Sequence, residues 1–207
     1  MLKNIKHFAE QSWLLIAASF VFGLLLAVTN AAWQPRIVQN EIDKFSRLAG
    51  ALLKNADRFE PAIKDVEVDS GKGKKIKTSI KKGVSRDGDC VGWAFVCEGA
   101  GFADKIKLVL TVDAAFEKLA SFGVLASNET PGFGDKIKND YFRNQFVGAP
   151  AAKLVLSKTG DDKIVDNEIV AITGATVSSE AVVKTVNNYI KQIKTCMQTE
   201  GLLNNAE

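Results

Sequence analysis

The stretch "NEIVAITGATVSSEAVVKTVNNYI", residues 167–190, decides the fold because it joins an apolar run to an amphipathic segment through one short turn. The run "NEIVAITG" predicts a strand, and the residues after the turn predict a helix because apolar side chains recur at helical spacing. Those side chains are Val182, Val186, Tyr189, Ile190, Ile193 and Met197. The turn itself holds four hydroxyl residues around Gly174-Ala175. Two interpretations are open: Ser178 or Ser179 caps the helix, or the turn N–H groups bind an anion.

A second unusual stretch is "NETPGFGDKI", residues 128–137, which follows an apolar run. Its Pro-Gly pair predicts a tight turn, and Gly134 adds a second flexible point. Taken alone, the stretch is typical of a hairpin connection. Glu129 and Thr130, ahead of the turn, are polar groups suited to contact the edge of a ligand ring.

The remaining sequence predicts a mixed, mainly antiparallel sheet with helices, which is an α+β domain. Strand patterns cover residues 61–80, 85–99, 105–113 and 116–127. A short helix is predicted over residues 139–148, and two late strands flank a turn at residues 159–162. The lysine-rich residues 72–82 predict a solvated edge strand, because lysine on an edge deters pairing with another sheet.

An uncharged segment lies near the N-terminus. Residues 13–33 comprise 21 residues, roughly 30 Å as a helix, which matches the hydrocarbon core of a bilayer. A tryptophan stands at each end, where the membrane interface favours its amphipathic ring. Lysines precede the segment and only Arg36 follows it closely, so the positive-inside rule places the N-terminus in the cytoplasm. We therefore predict a cytoplasmic N-terminus at 1–12, a transmembrane helix at 13–33, a linking helix at 34–61 and an exported domain at 62–207.

A cleaved secretory signal is the alternative interpretation of the same segment, with Thr29 and Ala31 as the small residues of a cleavage site. We favour an anchor because the apolar run exceeds the roughly 7–15 residues of a signal's apolar region. The anchor predicts a single-pass protein of the inner (cytoplasmic) membrane, with its C-terminal domain periplasmic or otherwise outside the cytoplasm.

Several chemistries lack the residues that they require. The single histidine is His7, ahead of the predicted anchor, so the exported domain cannot form a Ser-His-Asp triad or a histidine-ligated metal site. We predict no catalytic residue and no metal site there. A net charge of +3, and a lysine cluster without aromatic residues, argue against nucleic acid as a partner. Cys90 and Cys97 belong to one predicted strand, on opposite faces and too far apart to pair; we expect them reduced, although pairing with Cys196 stays open.

Together, the two motifs resemble those of the FMN-binding domain family. "TGATVSS" is similar to that family's S/T-G-A-T-x-S/T-S flavinylation motif, and "ETPGFG" is similar to its E-T-P-G-L-G loop. The resemblance extends to the anchor and the last helix. It is strongest to the RnfG branch of the family, the G subunits of Rnf complexes, which are ion-translocating ferredoxin:NAD oxidoreductases. Residues 62–207 are thereby identified as an FMN-binding domain.

The resemblance implies that an ApbE-type flavin transferase moves FMN from FAD to Thr176, giving a phosphodiester through the hydroxyl. It also implies an electron-carrying subunit, rather than a catalyst alone, whose partners are the other membrane subunits of an Rnf-type complex. The residues implied to bind FMN are Thr173, Gly174, Ala175, Thr176, Val177, Ser178 and Ser179 in the turn, and Glu129, Thr130, Pro131, Gly132, Phe133 and Gly134 in the loop.

Two alternatives stay open. One is an NqrC-like subunit of a sodium-translocating NADH:quinone oxidoreductase, or a stand-alone exported FMN carrier. The other is a non-flavinylated domain for assembly or anchoring. Val170 favours the latter, because the family commonly has an aspartate six residues before the flavinylated threonine. Phe133 likewise stands where the family's loop has leucine.

Overall fold

The structure, a computed structural model, describes residues 2–69 and 75–203, with side chains described from residue 12 onward. The chain divides into two compact units between Asp43 and Lys44. The second unit contains a five-stranded antiparallel sheet and a long C-terminal helix. The predicted α+β class is therefore confirmed.

Helix α1, Leu2–Leu52, carries the uncharged segment. Every side chain from residue 13 to residue 33 is exposed. Within the described ranges, α1 is the one helix that is long and apolar enough to cross a membrane. Pro35 lies inside α1, so no break separates the predicted membrane segment from the helix that follows it.

The predicted end of the linking helix at Pro61 is wrong. Helix α1 ends at Leu52, and Pro61 lies in strand β1, Arg58–Asp69. Because β1 pairs only with the next strand, it is an edge strand of the sheet. Proline lacks an N–H donor and is tolerated on such an edge. The pairing register shifts directly after it, between Pro61 and Ile63.

The sheet of the second unit is a meander in which the strands pair in chain order. After β1 come β2, Lys75–Val84, β3, Cys90–Ala100, β4, Lys105–Asp113, and β5, Leu119–Ser127. The strand patterns are confirmed. The edge position predicted for the lysine-rich segment is only partly right, because its described part lies in β2, which pairs with β1 from Lys75 and with β3 only from Ile80 onward. Lysine content is a local property, whereas an edge depends on which strand pairs beside it.

Both faces of the sheet are covered within the second unit. One face packs against helix α3, Thr176–Thr199, in a core that includes Phe95 and Tyr189. All six residues of the predicted apolar face of α3 are buried, which confirms that prediction. The other face packs against the end of α1 through Phe45 and Ala49.

The three cysteines are free, and two of them lie on the same face of the sheet. Cys97 is buried in the core beneath α3, and Cys90 packs against that same core, so the prediction of opposite faces is wrong. The reason is a register shift: β2 residues Gly83 and Val84 pair with Gly92 and Cys90, which leaves an extra residue on β3. Burial raises the pKa of the Cys97 thiol well above its ordinary value.

The segment between β5 and α3 consists of short elements. One helix was predicted over residues 139–148; the structure has α2, Asp140–Arg143, between 3-10 turns at Gly134–Lys138 and Asn144–Phe146. The Phe122 ring of β5 packs edge-on against Phe142 and Phe146, at centroid distances of 6.3 and 4.7 Å. These rings attach the segment to the sheet.

Two short strands precede α3. They are β6, Val155–Ser157, and β7, Glu168–Val170, and they pair in parallel. Both late strands are confirmed, but the predicted turn at residues 159–162 does not close a hairpin because the partners run in the same direction. The carboxyl end of β7 leads directly into the turn before α3.

The contact of α3 with β3 requires a glycine, which gives a first testable prediction. A Cβ added to Gly99 would overlap Thr185 Oγ1 and lie 3.0 Å from Thr185 Cβ. We expect Gly99→Ala to lower the free energy of unfolding by about 1–3 kcal/mol, the usual cost of overpacking. Urea denaturation of the detergent-solubilised chain measures this.

The control for this prediction is Gly50→Ala, because Gly50 is a helical glycine with nothing within 4 Å of an added Cβ. It should leave stability unchanged or raise it. Adding Thr185→Ala to Gly99→Ala should recover part of the loss, since the overlapping hydroxyl is removed. Full stability of the Gly99→Ala single variant would contradict the packing described here.

Candidate functional site

The N-terminus of α3 is not capped by a side chain. The helix begins at Thr176, and the preceding Ala175 makes no side-chain cap hydrogen bond. The first intrahelical bond runs from Ser179 N to Ala175 O, at 2.9 Å. The N–H groups of Thr176, Val177 and Ser178 therefore precede the intrahelical ladder and are available to an anion. The capping interpretation, with Ser178 or Ser179 as the cap, is wrong because both serines lie inside the helix.

Ser179 stabilises the turn from within. Its fully buried hydroxyl accepts a hydrogen bond from Ile172 N and donates one to Ala175 O, both at 3.0 Å. Gly174 takes a φ of +81°, a left-handed conformation that glycine adopts without strain. The turn is therefore held in one shape by its own residues before any ligand arrives.

Glu129 is a buried carboxylate that joins three segments of the site. Its side chain is 5% exposed. Oε1 accepts a hydrogen bond from Ala103 N at 3.0 Å, and Oε2 accepts one from the Ser178 hydroxyl. Glu129, Ala103 and Ser178, called here the Glu129 latch, connect the β3–β4 turn, the loop after β5 and the start of α3.

Two glycines leave the space that the hydrogen bonds of the Glu129 latch require. A Cβ on Gly134 would lie 2.6 Å from both Glu129 Oε2 and Ser178 Oγ, and one on Gly101 would overlap Glu129 Oε1. Side chains at either position would push the carboxylate away from its donors. A second link runs alongside, from Asn128 Nδ2 to Asp104 Oδ2 at 2.9 Å. This hydrogen bond, with one from the Lys105 backbone, lowers the pKa of Asp104 below its ordinary value.

A pocket of about 470 Å³ opens where the latched segments meet. It is lined by Phe102, Thr130, Phe133, Gly134, Gly174, Ala175, Thr176, Val177 and Ser178. The two motifs, some 40 residues apart in sequence, thus share one cavity. Five other residues expected at the site do not line the pocket. Glu129 and Ser179 are buried, and Pro131, Gly132 and Thr173 are exposed.

Phe102 is the pocket residue that the sequence interpretation missed. It is 67% exposed and lies in the turn between β3 and β4. The only local signal is a large aromatic residue within "GAGFAD", a turn otherwise made of small residues. Nothing in that stretch indicates that Phe102 lies close to either motif, because the Glu129 latch is what brings the β3–β4 turn to the pocket.

The pocket fits a planar group that carries a phosphate. The anionic end would meet the free N–H groups of α3 and the positive end of its dipole, beside the half-buried Thr176. Phe102 and Phe133 supply aromatic walls, and Lys136 Nζ lies 6.0 Å from the Phe133 ring centroid. FMN has this combination of ring and phosphate.

A larger cavity of about 580 Å³ lies along the C-terminal half of α3. Its lining includes Lys153, Lys191 and Lys194 and none of the residues of either motif. It is therefore a separate feature of the surface.

Comparison with known proteins agrees with this geometry. The family model of the FMN-binding domain matches residues 101–191, which include the β3–β4 turn, both motifs and most of α3. The G subunit of the ion-translocating oxidoreductase complex of Methanosarcina acetivorans is 29% identical over 179 residues, 86% of this chain and 90% of the relative. The G subunit of the Na(+)-translocating ferredoxin:NAD(+) oxidoreductase complex of Acetobacterium woodii is 32% identical over 184 residues, 86% and 87% of the two chains.

Among solved structures, Shewanella oneidensis NqrC aligns with a TM-score of 0.51 at 18% identity, covering 69% of this chain and 73% of that one. This likeness concerns the fold. Fold, pocket and family model together define an FMN-binding domain that follows an N-terminal apolar helix in the sequence. The chain belongs to the family of G subunits of ion-translocating ferredoxin:NAD oxidoreductase (Rnf) complexes.

Proposed function

We propose that this chain is the membrane-anchored, electron-transferring G subunit of an Rnf-type ion-translocating complex and carries FMN covalently on Thr176. The observation that carries the proposal is the placement of Thr176. It is the first residue of α3, half-buried, in the pocket lining, at a helix end that no side chain caps. A phosphate esterified there would keep one negative charge against the free N–H groups of the turn.

The attachment step balances with FAD as donor. A bond forms between Thr176 Oγ and the phosphorus of the FMN moiety, and the pyrophosphate bond of FAD breaks. AMP leaves, and the threonine proton is released. A flavin transferase of the ApbE type supplies the catalysis, so the pocket needs no general base of its own.

The chain's residues bind the cofactor and shield it from water. FMN, when bound, supplies one- and two-electron transfer through its ring system. The aromatic walls exclude solvent from the ring, and the Glu129 latch keeps the walls in place. A covalent tether suits a carrier outside the cytoplasm, where no FMN pool would replace a dissociated cofactor.

The proposed setting is a single-pass protein of the inner membrane. The lysines before the apolar segment of α1 support a topology with residues 1–12 in the cytoplasm and the FMN-binding domain, residues 62–207, on the other side. Other membrane subunits of the complex are the partners, and ion movement takes place in them. The relatives named above are themselves subunits of such complexes.

Mass spectrometry of the full chain tests the proposed attachment. We expect the protein co-expressed with an active flavin transferase to gain the mass of FMN less one water, and the protein made without the transferase to lack it. Trypsin should place the increment on residues 164–184, and fragmentation of that peptide should place it on Thr176. An unmodified chain, beside a transferase that modifies a known acceptor, would contradict covalent flavinylation.

A further inference from the structure

The exposed phenylalanines of the second unit lie in one place. Nine phenylalanines fall within the described residues after Asp43, and seven of them are buried or half-buried. The two exposed ones are Phe102, at 67%, and Phe133, at 57%. Both line the pocket that contains Thr176. A buried aromatic side chain removes up to about 150–250 Å² of surface from water, and these two rings lack that stabilisation. Their exposure at one place therefore indicates a ligand that covers them.

Both rings are carried by segments that hydrogen bonds hold in place. Phe102 sits at the tip of a turn closed by Gly101 N to Asp104 O, at 2.8 Å, and fastened to Glu129 through Ala103 N. Phe133 N donates to Thr130 O at 3.2 Å. The Phe133 ring also reaches the turn before α3, since a Cβ on Gly174 would lie 3.6 Å from its Cδ1.

We infer that Phe102, together with Phe133, binds the isoalloxazine ring of the flavin, and that Phe102 is a cofactor-binding residue outside both sequence motifs. The inference rests on the proposed function, because attachment at Thr176 places the flavin in this pocket. A flat aromatic ring system with apolar faces matches two exposed phenyl rings, whereas a compact anion would use the helix N-terminus and leave both rings exposed.

Shielding of the flavin from iodide tests the inference. Flavinylated wild type, Phe102→Ala and Phe133→Ala are first checked by intact mass, and iodide quenching of flavin fluorescence is then measured. We expect both variants to carry FMN. In each, the fraction of flavin that iodide can quench should rise roughly two- to tenfold, which corresponds to the free energy of one lost aromatic pair. The visible circular dichroism of the flavin should weaken in parallel.

Two further variants make the result specific. Tyr141→Ala removes an aromatic side chain that is 46% exposed and outside the pocket lining, and should quench like wild type. Phe102→Tyr restores a ring at position 102 and should restore the shielding. Wild-type quenching in Phe102→Ala, or equal loss of shielding in Tyr141→Ala, would overturn the inference. Absence of the FMN mass from wild type would instead refute the attachment itself.

Discussion

Thr176→Ala is expected to carry no covalent FMN, even with an active flavin transferase, while its fold is unchanged. Among the hydroxyl residues of the turn, Thr176 is the one that lines the pocket and whose hydroxyl has no hydrogen-bonding partner among the described residues. The Ser178 hydroxyl donates to Glu129, and the Ser179 hydroxyl is held between Ile172 and Ala175. Neither serine is free to replace it. Intact mass and in-gel flavin fluorescence measure the loss.

Thr173→Ala is the matched control for this prediction. Thr173 belongs to the same turn but is exposed and outside the pocket lining, so its variant should gain the full FMN increment. Thr176→Ser should also be modified, at least in part, because it keeps a hydroxyl at the same place. Retention of the increment in Thr176→Ala would place the attachment at another residue. Its loss in Thr173→Ala would instead show that modification of Thr176 requires the first hydroxyl of the motif as well.

The sequence predicted those parts of the fold that depend on periodicity. Alternation indicated β4 at residues 105–113, where the structure has Lys105–Asp113, and 3.6-residue spacing indicated the buried face of α3. These patterns suffice because they record which side of an element faces the core. The end of α1 was missed because the proline taken as its end lies in an edge strand.

The candidate site was predictable only in part. The two motifs line one pocket, as their joint resemblance to a family implied. Phe102 was missed because the contact that positions it, from Ala103 to Glu129, joins residues 26 apart in sequence. Of the two interpretations of the turn, the serine cap was wrong. Hydroxyl residues suggested a cap, but the backbone bond from Ser179 to Ala175 starts α3 ahead of both serines, which are buried instead.

Glu129→Ala is expected both to destabilise the domain and to loosen the pocket. The substitution removes the acceptor of two hydrogen bonds, from Ala103 N–H and from the 3%-exposed Ser178 hydroxyl. Hydrogen bonds to a charged group contribute about 1.5–3 kcal/mol each. Because the exposed Ala103 N–H can bond to water instead, only the Ser178 bond is lost without replacement. We therefore expect the free energy of unfolding to fall by about 1.5–3 kcal/mol. Urea denaturation measures it. The flavin of any loaded protein should become more accessible to iodide, since both aromatic walls depend on the latch.

Two variants separate the hydrogen bonds of Glu129 from its charge. In Glu129→Gln the amide oxygen can still accept from Ala103, while the amide NH₂ faces Ser178, whose hydroxyl can turn to accept. The variant keeps both contacts without the charge, so its free energy of unfolding should fall by less than that of Glu129→Ala. Glu117→Ala, an exposed glutamate in the turn before β5, should have wild-type stability and shielding. Equal losses in Glu129→Gln and Glu129→Ala would mean that the negative charge beside the start of α3 matters more than the two contacts. Wild-type behaviour of Glu129→Ala would contradict the latch, because a pocket whose walls stay in place without that carboxylate must be held by other contacts.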